Sequence, residues 1–507
     1  MFRNLCSGVT AITAAAILVA SANAGAQEGG QKSKGQRVVG KLPAAGELTP
    51  AQRAYGLPQN PIVGGPVDAD VTKPLTLERA VSIGLAYQNS IAISKTAVDQ
   101  ASARLTQAKS SYYPQVTPSY SYSSALTPSK VYSYDPVTGL PLSRLANRST
   151  TSNAQSSSIV VKQLIYDMGL REASVAQSRR NVFAAEYGLA NQRQLVILQV
   201  SQDYYNLLRN RELIKEDEKS VERYRTTLDI ITTQANVGTA AKSDIFQAKA
   251  DLANAEVTLL QDKSNYKVAE ATLKNAMGIA SIAPLALPEL TLPAPKAAAD
   301  TTQLTAYIAA AYANRLDSRQ QQENVNASGY ALKLAKIQSG FAVDASIQEG
   351  YAGNPVSGEE RLFSVSVSYP LFDGGNAKAA VRASAAALEE QKRSLDQVQQ
   401  SILLDVEQSY QVREIARQRV VASQVALDAG EENLKVVRAK ELNQLAGLPD
   451  VIAAERQRDA AGVSLVEATY DYYVATAALQ RSIGVNDPWY QARVPGAKSI
   501  VRTVVEP

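Results

Sequence analysis

The chain of 507 residues contains no histidine and one cysteine, Cys6. Without histidine, the common zinc sites and the serine–histidine and cysteine–histidine nucleophiles are excluded. The carboxylate pairs that remain, such as Glu389-Glu390 and Glu431-Glu432, lie among mixed charges and are interpreted as solvated helix faces. These absences predict a protein that is not an enzyme and that holds no metal and no cofactor.

Large aromatic side chains and net charge are also scarce. The chain has 24 Tyr but only 6 Phe and one Trp, Trp489. A soluble core of this size is usually richer in Phe and Trp. The formal net charge of +4 gives no sign of nucleic-acid binding. The composition therefore argues against ordinary globular domains and favours long amphipathic helices with polar-lined strands.

Long apolar runs are confined to the N-terminus. Residues 1–26 combine the basic Arg3, an apolar run from Val9 to Ala20 and small-residue cleavage sites, which predicts a cleaved signal peptide. Cys6 precedes the apolar run, so we expect its removal and no lipid anchor. No later run approaches the length of a membrane-spanning helix. If the chain crosses a membrane, it does so with strands.

Most of the remaining sequence occurs twice, at an offset of 206 positions (Val406 against Val200). A duplicated unit of this length predicts two structural repeats, 74–283 and 304–484. Each repeat consists of a helix, a strand hairpin, a very long helix and a returning helix. The first helix of the first repeat is expected from Thr76, as its N-cap, to Tyr112. Segments rich in proline or glycine, or without a repeat, predict an extended tail at 27–73, a linker at 284–303 and a C-terminal tail at 485–507.

Period-2 patterns predict four strands. They comprise Ser119–Ser123, Ser158–Leu164, Val343–Tyr351 and a fourth strand on which Phe363, Val365, Val367 and Tyr369 share one face and serines share the other. The predicted connecting loops are 126–155 and 354–360. Apolar residues outside and serines inside are typical of a transmembrane β-barrel. A half-buried sheet in a soluble domain fits these strands equally well.

Two stretches nearly free of proline and glycine, 167–237 and 376–446, predict helices of unusual length. About 70 helical residues extend roughly 105 Å. The apolar stripe is narrow, which indicates packing against other helices as in a coiled coil. In the first copy it recurs at every seventh residue: Val200, Leu207, Ile214, Val221, Leu228 and Ala235. Ser243 or Asp244 in one copy and Asp450 in the other are expected to N-cap the returning helices.

Four strands cannot close a membrane barrel, and open strand edges are not tolerated in lipid. The strand count therefore predicts an oligomer, in which three copies supply twelve strands. A periplasmic coiled-coil adaptor without a pore is the alternative, and the apolar face of the fourth strand argues against it. A closed monomeric porin is excluded by the strand count.

Residues from about 75 to 485 closely resemble the TolC family of outer-membrane efflux proteins. The most specific match is the strand-to-helix junction, which reads Tyr369-Pro370-Leu371-Phe372-Asp373-Gly374-Gly375, with Leu164-Ile165-Tyr166-Asp167-Met168-Gly169 as its first-copy counterpart. The tip segment from Val237-Gly238 to Ser243-Asp244-Ile245 also fits. The resemblance implies a homotrimer with a twelve-stranded β-barrel in the outer membrane, continued by a periplasmic α-helical barrel.

The same resemblance implies a passive exit duct of a tripartite efflux or type I secretion system. Its partners would be a periplasmic adaptor, an inner-membrane transporter driven by protons or by ATP, and outer-membrane lipid. The residues that match the docking tip are Gly238, Thr239, Asp244, Gly447, Leu448 and Asp450. Asp450 is also the position that matches an acidic aperture ring, and Glu441 is a candidate second member. The family's tyrosine and arginine that pin the closed state are replaced here by Glu441 and Ala446, so the resemblance predicts different closing contacts.

Overall fold

The computed structural model describes residues 74–279, 285–288, 304–338, 340–354, 356–443 and 445–485. Its order of elements occurs twice: two short helices, two strands, a long helix and a returning helix. The predicted signal peptide, the N-terminal tail, the C-terminal tail beyond Val485 and most of the linker lie outside the described residues. Within the described ranges, none of the helices combines the length and the apolar character that a bilayer-crossing helix needs.

The helices of the two halves have the same lengths of 11, 22, 67 and 35 residues. Those of the first half are α1 (Leu77–Tyr87), α2 (Asn89–Ser110), α3 (Leu170–Asn236) and α4 (Lys242–Ala276). Those of the second half are α5 (Leu304–Asn314), α6 (Leu316–Ile337), α7 (Asn376–Leu442) and α8 (Leu448–Ser482).

The expected single helix from Thr76 to Tyr112 is wrong, because the chain breaks between α1 and α2 at Gln88. The extended Gln88 donates a side-chain hydrogen bond to the carbonyl oxygen of Ala276 at 3.1 Å, which fixes the break against the end of α4. Gly278 follows α4 with φ +72°, and a Cβ there would lie 2.6 Å from the Tyr87 carbonyl oxygen. Only glycine permits both this conformation and this approach. Thr76 does cap α1, accepting from the Arg79 backbone N–H at 3.4 Å.

Each half has its own small core where the short helices meet the long one. Val200 and Leu207 of α3 are fully buried and pack with Ala80 and Leu273. At the equivalent level, Val406 of α7 packs with residues of α5 and α8. The predicted seven-residue stripe of α3 holds at Val200, Leu207 and Val221, whereas the other three positions are only half-buried. In a straight α-helix, residues spaced by seven rotate around the axis by about 20° per heptad. Toward the end of α3 the buried face is therefore occupied by Tyr224, Thr227 and Ile231 instead of the predicted positions.

The four strands form one antiparallel sheet in the order β1-β2-β3-β4. They are β1 (Gln115–Tyr134), β2 (Pro141–Tyr166), β3 (Ala342–Asn354) and β4 (Val356–Ser368). The β1–β2 hairpin extends beyond the other strands, since residues 141–154 of β2 pair only with β1. Within the described chain, β1 and β4 each pair on one side only, which leaves both edges of the sheet open.

Both predicted loops are wrong, because most of 126–155 and of 354–360 is strand. Pairing of β1 with β2 runs from Gln115↔Lys162 to Lys130↔Asn147 and beyond. The turn is only residues 135–140, where Asp135 accepts from the Val137 backbone N–H at 2.9 Å and Gly139 has φ +65°. The Ser, Thr and Asn residues of 126–155 resemble a loop in sequence, yet the hydrogen bonds of the strand ladder pair their backbone.

Candidate functional site

The sheet has one apolar face that is continuous across all four strands. The pairing aligns Val116, Val161, Ile347 and Phe363 in one row. Phe363, Val365 and Val367 of β4 point out of the protomer, with 68%, 57% and 68% of their surface exposed. Tyr369, expected on the same strand, lies just beyond its end and is also exposed. Exposed apolar surface of this extent is unusual for a soluble monomer.

The opposite face of the sheet is lined by serines that hydrogen-bond across the strands. The hydroxyl oxygens of Ser119 and Ser158 are 2.8 Å apart, and those of Ser346 and Ser364 are 2.7 Å apart. Ser121 and Ser156 form a third pair at 2.8 Å. Cross-strand pairs of this kind stabilise a sheet without apolar burial. The sheet thus separates an apolar side from a polar side.

The apolar face ends at a row of charged and tyrosine side chains toward the hairpin turns. Glu349 of β3 and Arg361 of β4 pair there at 2.9 Å, on the face that carries Phe363. Tyr120 and Tyr351 occupy the next row and are exposed. Amphipathic Tyr side chains at the border of an apolar band are a feature of membrane interfaces.

The two strand-to-helix junctions share one device, an aspartate that caps the long helix. Asp167 accepts from the backbone N–H groups of Gly169 and Arg171 at 3.3 and 2.9 Å. Asp373 accepts from those of Gly375 and Ala377 at 2.9 and 2.6 Å. These backbone hydrogen bonds hold the pKa of the Asp373 carboxyl below its ordinary value. Gly169 and Gly375 both have φ +88°, so the Asp-x-Gly pattern encodes a sharp entry into the helix.

The junctions differ in their apolar side chains. In the first, Tyr166 stacks on Phe341 with ring centroids 5.4 Å apart. In the second, which begins at Pro370 and includes Gly374, Leu371 and Phe372 are 91% and 90% exposed. The second junction therefore extends the apolar face of the sheet.

At the first tip, α3 turns into α4 through Gly238, which has φ +83°. The Thr239 hydroxyl donates to the Gln234 carbonyl oxygen at 3.0 Å and closes the end of α3. The expected N-cap at Ser243 or Asp244 is wrong, because α4 begins at Lys242 and its N-cap is Ala241. Asp244 is the third helical residue, and its carboxylate accepts from the Ser243 hydroxyl at 3.2 Å.

At the second tip, the expected N-cap Asp450 is also the third residue of its helix. Its carboxylate reaches back and accepts from the Gly447 backbone N–H at 3.0 Å, which is half of a capping box. Asp450 is exposed, and Glu441 is half-buried in the last turn of α7. Leu448 is buried and packs with Ile231 and Ile452. Leu448 thus holds the two tips of the protomer together, and the exposed surface there belongs to its neighbours.

The sequence did not predict the ionic contacts between α8 and the helices of the first half. Arg456 pairs with Asp251 and Arg223 pairs with Asp459. Arg458 bonds Glu216 at 2.9 Å and Glu431 at 3.1 Å, so Glu431 is not merely a solvated charge. Charged residues on a helix look alike in sequence whether they face water or another helix. Their spacing on α8 (455, 456, 458, 459) was the available signal, because both sides of the helix carry charges there.

Glu455 is the most deeply placed of these charges, with none of its surface exposed. Its carboxylate accepts from Thr227 of α3 at 2.8 Å and from Arg438 of α7 at 2.7 Å. One side chain therefore connects three helices.

A family model described as outer membrane efflux protein matches residues 82–279 and 302–485. This is more than half of the chain, and the chain therefore belongs to the outer membrane efflux protein family. The outer membrane efflux protein BepC of Brucella suis is 26% identical over 383 residues, which covers 74% of this chain and 78% of BepC.

Solved structures share the fold at low identity. VceC of Vibrio cholerae superimposes with a TM-score of 0.65 at 17% identity, covering 80% of this chain and 96% of VceC. The CmeC channel of Campylobacter jejuni gives a TM-score of 0.67 at 16% identity, covering 85% and 89%. The protein is an outer-membrane exit duct for efflux, and its family is one of channels rather than enzymes. None of these similarities favours an adaptor without a pore.

Proposed function

We propose that three copies of the chain join their sheets into a closed twelve-stranded barrel in the outer membrane. The observation that carries this proposal is the four-stranded sheet with one apolar face, one serine face and two open edges. Lipid tolerates no unpaired strand edge, and β1 of one copy next to β4 of another removes both. The apolar face then contacts lipid through Phe363, Val365, Val367 and Tyr369, and the serines line the lumen.

The long helices of the three copies continue the barrel as a tube in the periplasm. A helix of 67 residues extends about 100 Å. Two helices carry exposed apolar stripes whose members recur at intervals of 3, 8, 10 or 11 residues, so that each stripe stays on one face. In α4 the stripe is Phe246, Val257, Leu260 and Val268, and in α7 it is Leu404, Val412, Ile415 and Val425. Neighbouring copies cover these stripes in the trimer.

The tips of the helical hairpins form the surface on which a periplasmic adaptor docks, with an inner-membrane transporter behind it. The turns at Gly238, Thr239 and Gly447 leave apolar side chains exposed around them, namely Val237, Leu442 and Leu445. Asp450, with Glu441, contributes to an acidic ring at the aperture. The duct is passive, so the transporter selects the cargo.

Cysteine crosslinking tests the barrel directly, because the only native cysteine lies in the predicted signal peptide. Ser121→Cys on β1 is combined with Ser364→Cys, Ser366→Cys or Ser368→Cys on β4, which scans the register between copies. We expect one combination to give a covalent trimer in outer membranes, while each single variant stays uncrosslinked. Monomer in every combination, together with monomer mass in detergent, would contradict the trimer.

A further inference from the structure

The helix ends next to the sheet are strongly basic. α2 and α6 end just before β1 and β3, and α3 and α7 begin just after β2 and β4. In each of these four helices, the seven residues nearest the sheet span about 10 Å. Together these residues include seven arginines and lysines but a single acidic residue, Glu172. This end of the helical region therefore carries a large excess of positive charge.

Six of the seven cations have no partner in the protomer. Arg171 is the exception, because its guanidinium group binds the Asp167 carboxylate at 3.1 Å. The other six are exposed and form no ion pair among the residues that the structure describes. By contrast, Arg209, Arg223 and Arg458 near the middle of the long hairpins all pair with carboxylates. The six unpaired cations, here called the basic collar, are Arg104, Lys109, Lys333, Lys336, Lys378 and Arg382.

The preferences of an isolated helix explain only part of the basic collar. Lys109 and Lys336 lie in the last turns of α2 and α6, where the helix dipole favours a cation. Lys378 and Arg382 lie in the first two turns of α7, where the same dipole disfavours a cation. The first turn of α7 also contains no acidic residue that would offset them. This placement indicates an anionic partner that comes from outside the protomer.

The basic collar begins where the apolar face of the sheet ends. From Phe363 to Phe372 the chain advances about 30 Å if extended, or about 23 Å across a membrane at a strand tilt of about 40°. This agrees with the height of about 25 Å that the apolar band of a membrane barrel has. Leu371 and Phe372, at the lower border of the band, are 91% and 90% exposed. Lys378 follows within the first turn of α7, at the level of lipid headgroups.

We propose that the basic collar binds the headgroups of anionic phospholipids in the periplasmic leaflet of the outer membrane. This proposal rests on the proposed function, which places the apolar face in lipid. Lysine and arginine donate hydrogen bonds to phosphate oxygens, and their long apolar stems let the charged ends reach the headgroups from one or two helical turns away. Each cation close to an anionic surface strengthens association about fivefold.

A neighbouring copy of the chain does not fit the basic collar equally well. In a symmetric trimer each copy places the same helix ends at the same level. Copies that meet around the axis therefore present cations to cations, and Glu172 is the single acidic residue that those helix ends supply. A zwitterionic headgroup offers a phosphate together with a cation of its own. A lipid with net negative charge is the occupant that neutralises the basic collar.

Electron paramagnetic resonance of spin-labelled lipids tests this proposal on the full-length protein in phosphatidylcholine bilayers. With wild type at low salt, we expect labelled phosphatidylglycerol to associate about fivefold or more strongly than labelled phosphatidylcholine. The preference should nearly vanish at about 1 M salt, where the Debye length is only about 3 Å. Lys378→Gln combined with Arg382→Gln, and Lys333→Gln combined with Lys336→Gln, should each lower the preference severalfold at low salt.

Lys249→Gln combined with Lys267→Gln is the matched control. Both lysines are exposed and have no ion pair among the described residues, and they lie on α4, which returns along only about half the length of α3. This variant loses the same charge far from the sheet and should keep the wild-type preference. An equal loss in the control and in the two variants of the basic collar would overturn the proposal.

Three further outcomes would also overturn it. The first is equal association of the two lipids with wild type. The second is a preference that inorganic phosphate abolishes at matched ionic strength, because the site would then be one for free phosphate. The third is an unchanged preference in both variants together with lower trimer stability in a neutral detergent, because the cations would then bind another copy. Crosslinking of β1 to β4 reports separately on the trimer, so a crosslinked trimer without lipid preference refutes the basic collar alone.

Discussion

Each half of the protomer has a helical hairpin made of a 67-residue helix and a 35-residue returning helix. The first hairpin buries mainly its long helix, whereas the second buries mainly its returning helix. In the first hairpin, the long helix α3 has 19 buried residues and the returning helix α4 has five. In the second, the long helix α7 has only seven and the returning helix α8 has 12. The two inner helices, α3 and α8, face each other, and the outer helices keep the apolar stripes. Repetition in sequence therefore produced the same elements in two different environments.

Single residues at the two tips also differ in their contacts although they occupy equivalent positions in the repeat. Asp244 and Asp450 are separated by the repeat offset and are both the third residue of a helix. Asp450 bonds the Gly447 backbone N–H, whereas Asp244 bonds the Ser243 side chain. Equivalent positions in a repeat thus need not have equivalent roles.

The largest effect is expected from the sheet, where adjacent residues of β4 face opposite sides. Val365→Arg places a charge on the apolar face, which costs about 2–4 kcal/mol per copy at the middle of a bilayer. We expect loss of folded trimer from outer-membrane fractions, assayed by resistance to unfolding in detergent gels. Ser366→Arg is the matched control on the serine face and should assemble. Equal losses in both variants would show that the two faces do not differ in their environment.

The second-largest effect is expected at Glu455, which connects the two hairpins. Arg438→Met leaves a fully buried carboxylate with only Thr227 as partner, and we expect a loss of about 2–4 kcal/mol, reduced because Arg438 is 40% exposed. Thermal unfolding measures it, and adding Glu455→Gln should restore most of the loss. Lys435→Met removes an exposed pair with Glu432 and should change stability by less than about 0.5 kcal/mol. Absence of rescue would mean that Arg438 acts by packing rather than by charge.

Leu260→Glu tests whether the exposed apolar stripe of α4 is buried between copies. The side chain is 67% exposed in the protomer, so a free chain should tolerate the change. In a trimer it would bury a carboxylate between copies, and we expect about 1–3 kcal/mol less stability per copy. The neighbouring Gln261→Glu is the control. The measurement is the temperature at which the trimers dissociate. If this temperature is unchanged in Leu260→Glu, the α4 stripe is not buried between copies.

The smallest effect is expected at the tip. Asp450→Ala removes both the charge and the hydrogen bond to Gly447, and should cost about 1 kcal/mol of helix stability. Asp450→Asn retains an acceptor and removes only the charge. If Asp450 belongs to an acidic aperture ring, both variants should weaken cation block of the single-channel current. Block that is unchanged in Asp450→Asn would leave Asp450 as a helix cap alone.

The sequence by itself determined the type and order of the local elements and where the long and returning helices end. The absence of proline and glycine predicted the long helices, and Gly278 and Gly484 mark the ends of the returning ones with positive φ. The period-2 pattern located all four strands, and the repeat and the family motifs identified the class of protein. These features depend on backbone conformation and on residues near in sequence, which a linear pattern records.

Only the tertiary structure decided which faces of these elements meet. It placed Gln88 against the end of α4, extended the β1–β2 hairpin through a segment that resembles a loop, and buried Leu448 between the two tips. It also paired the charges of α8 with those of α3 and α4, and left Oδ2 of Asp217 buried without a hydrogen-bond partner among the described residues. The physical reason is that a charge or a serine has the same local preferences in water and in a contact. Its energy depends on a partner that lies far away in the sequence.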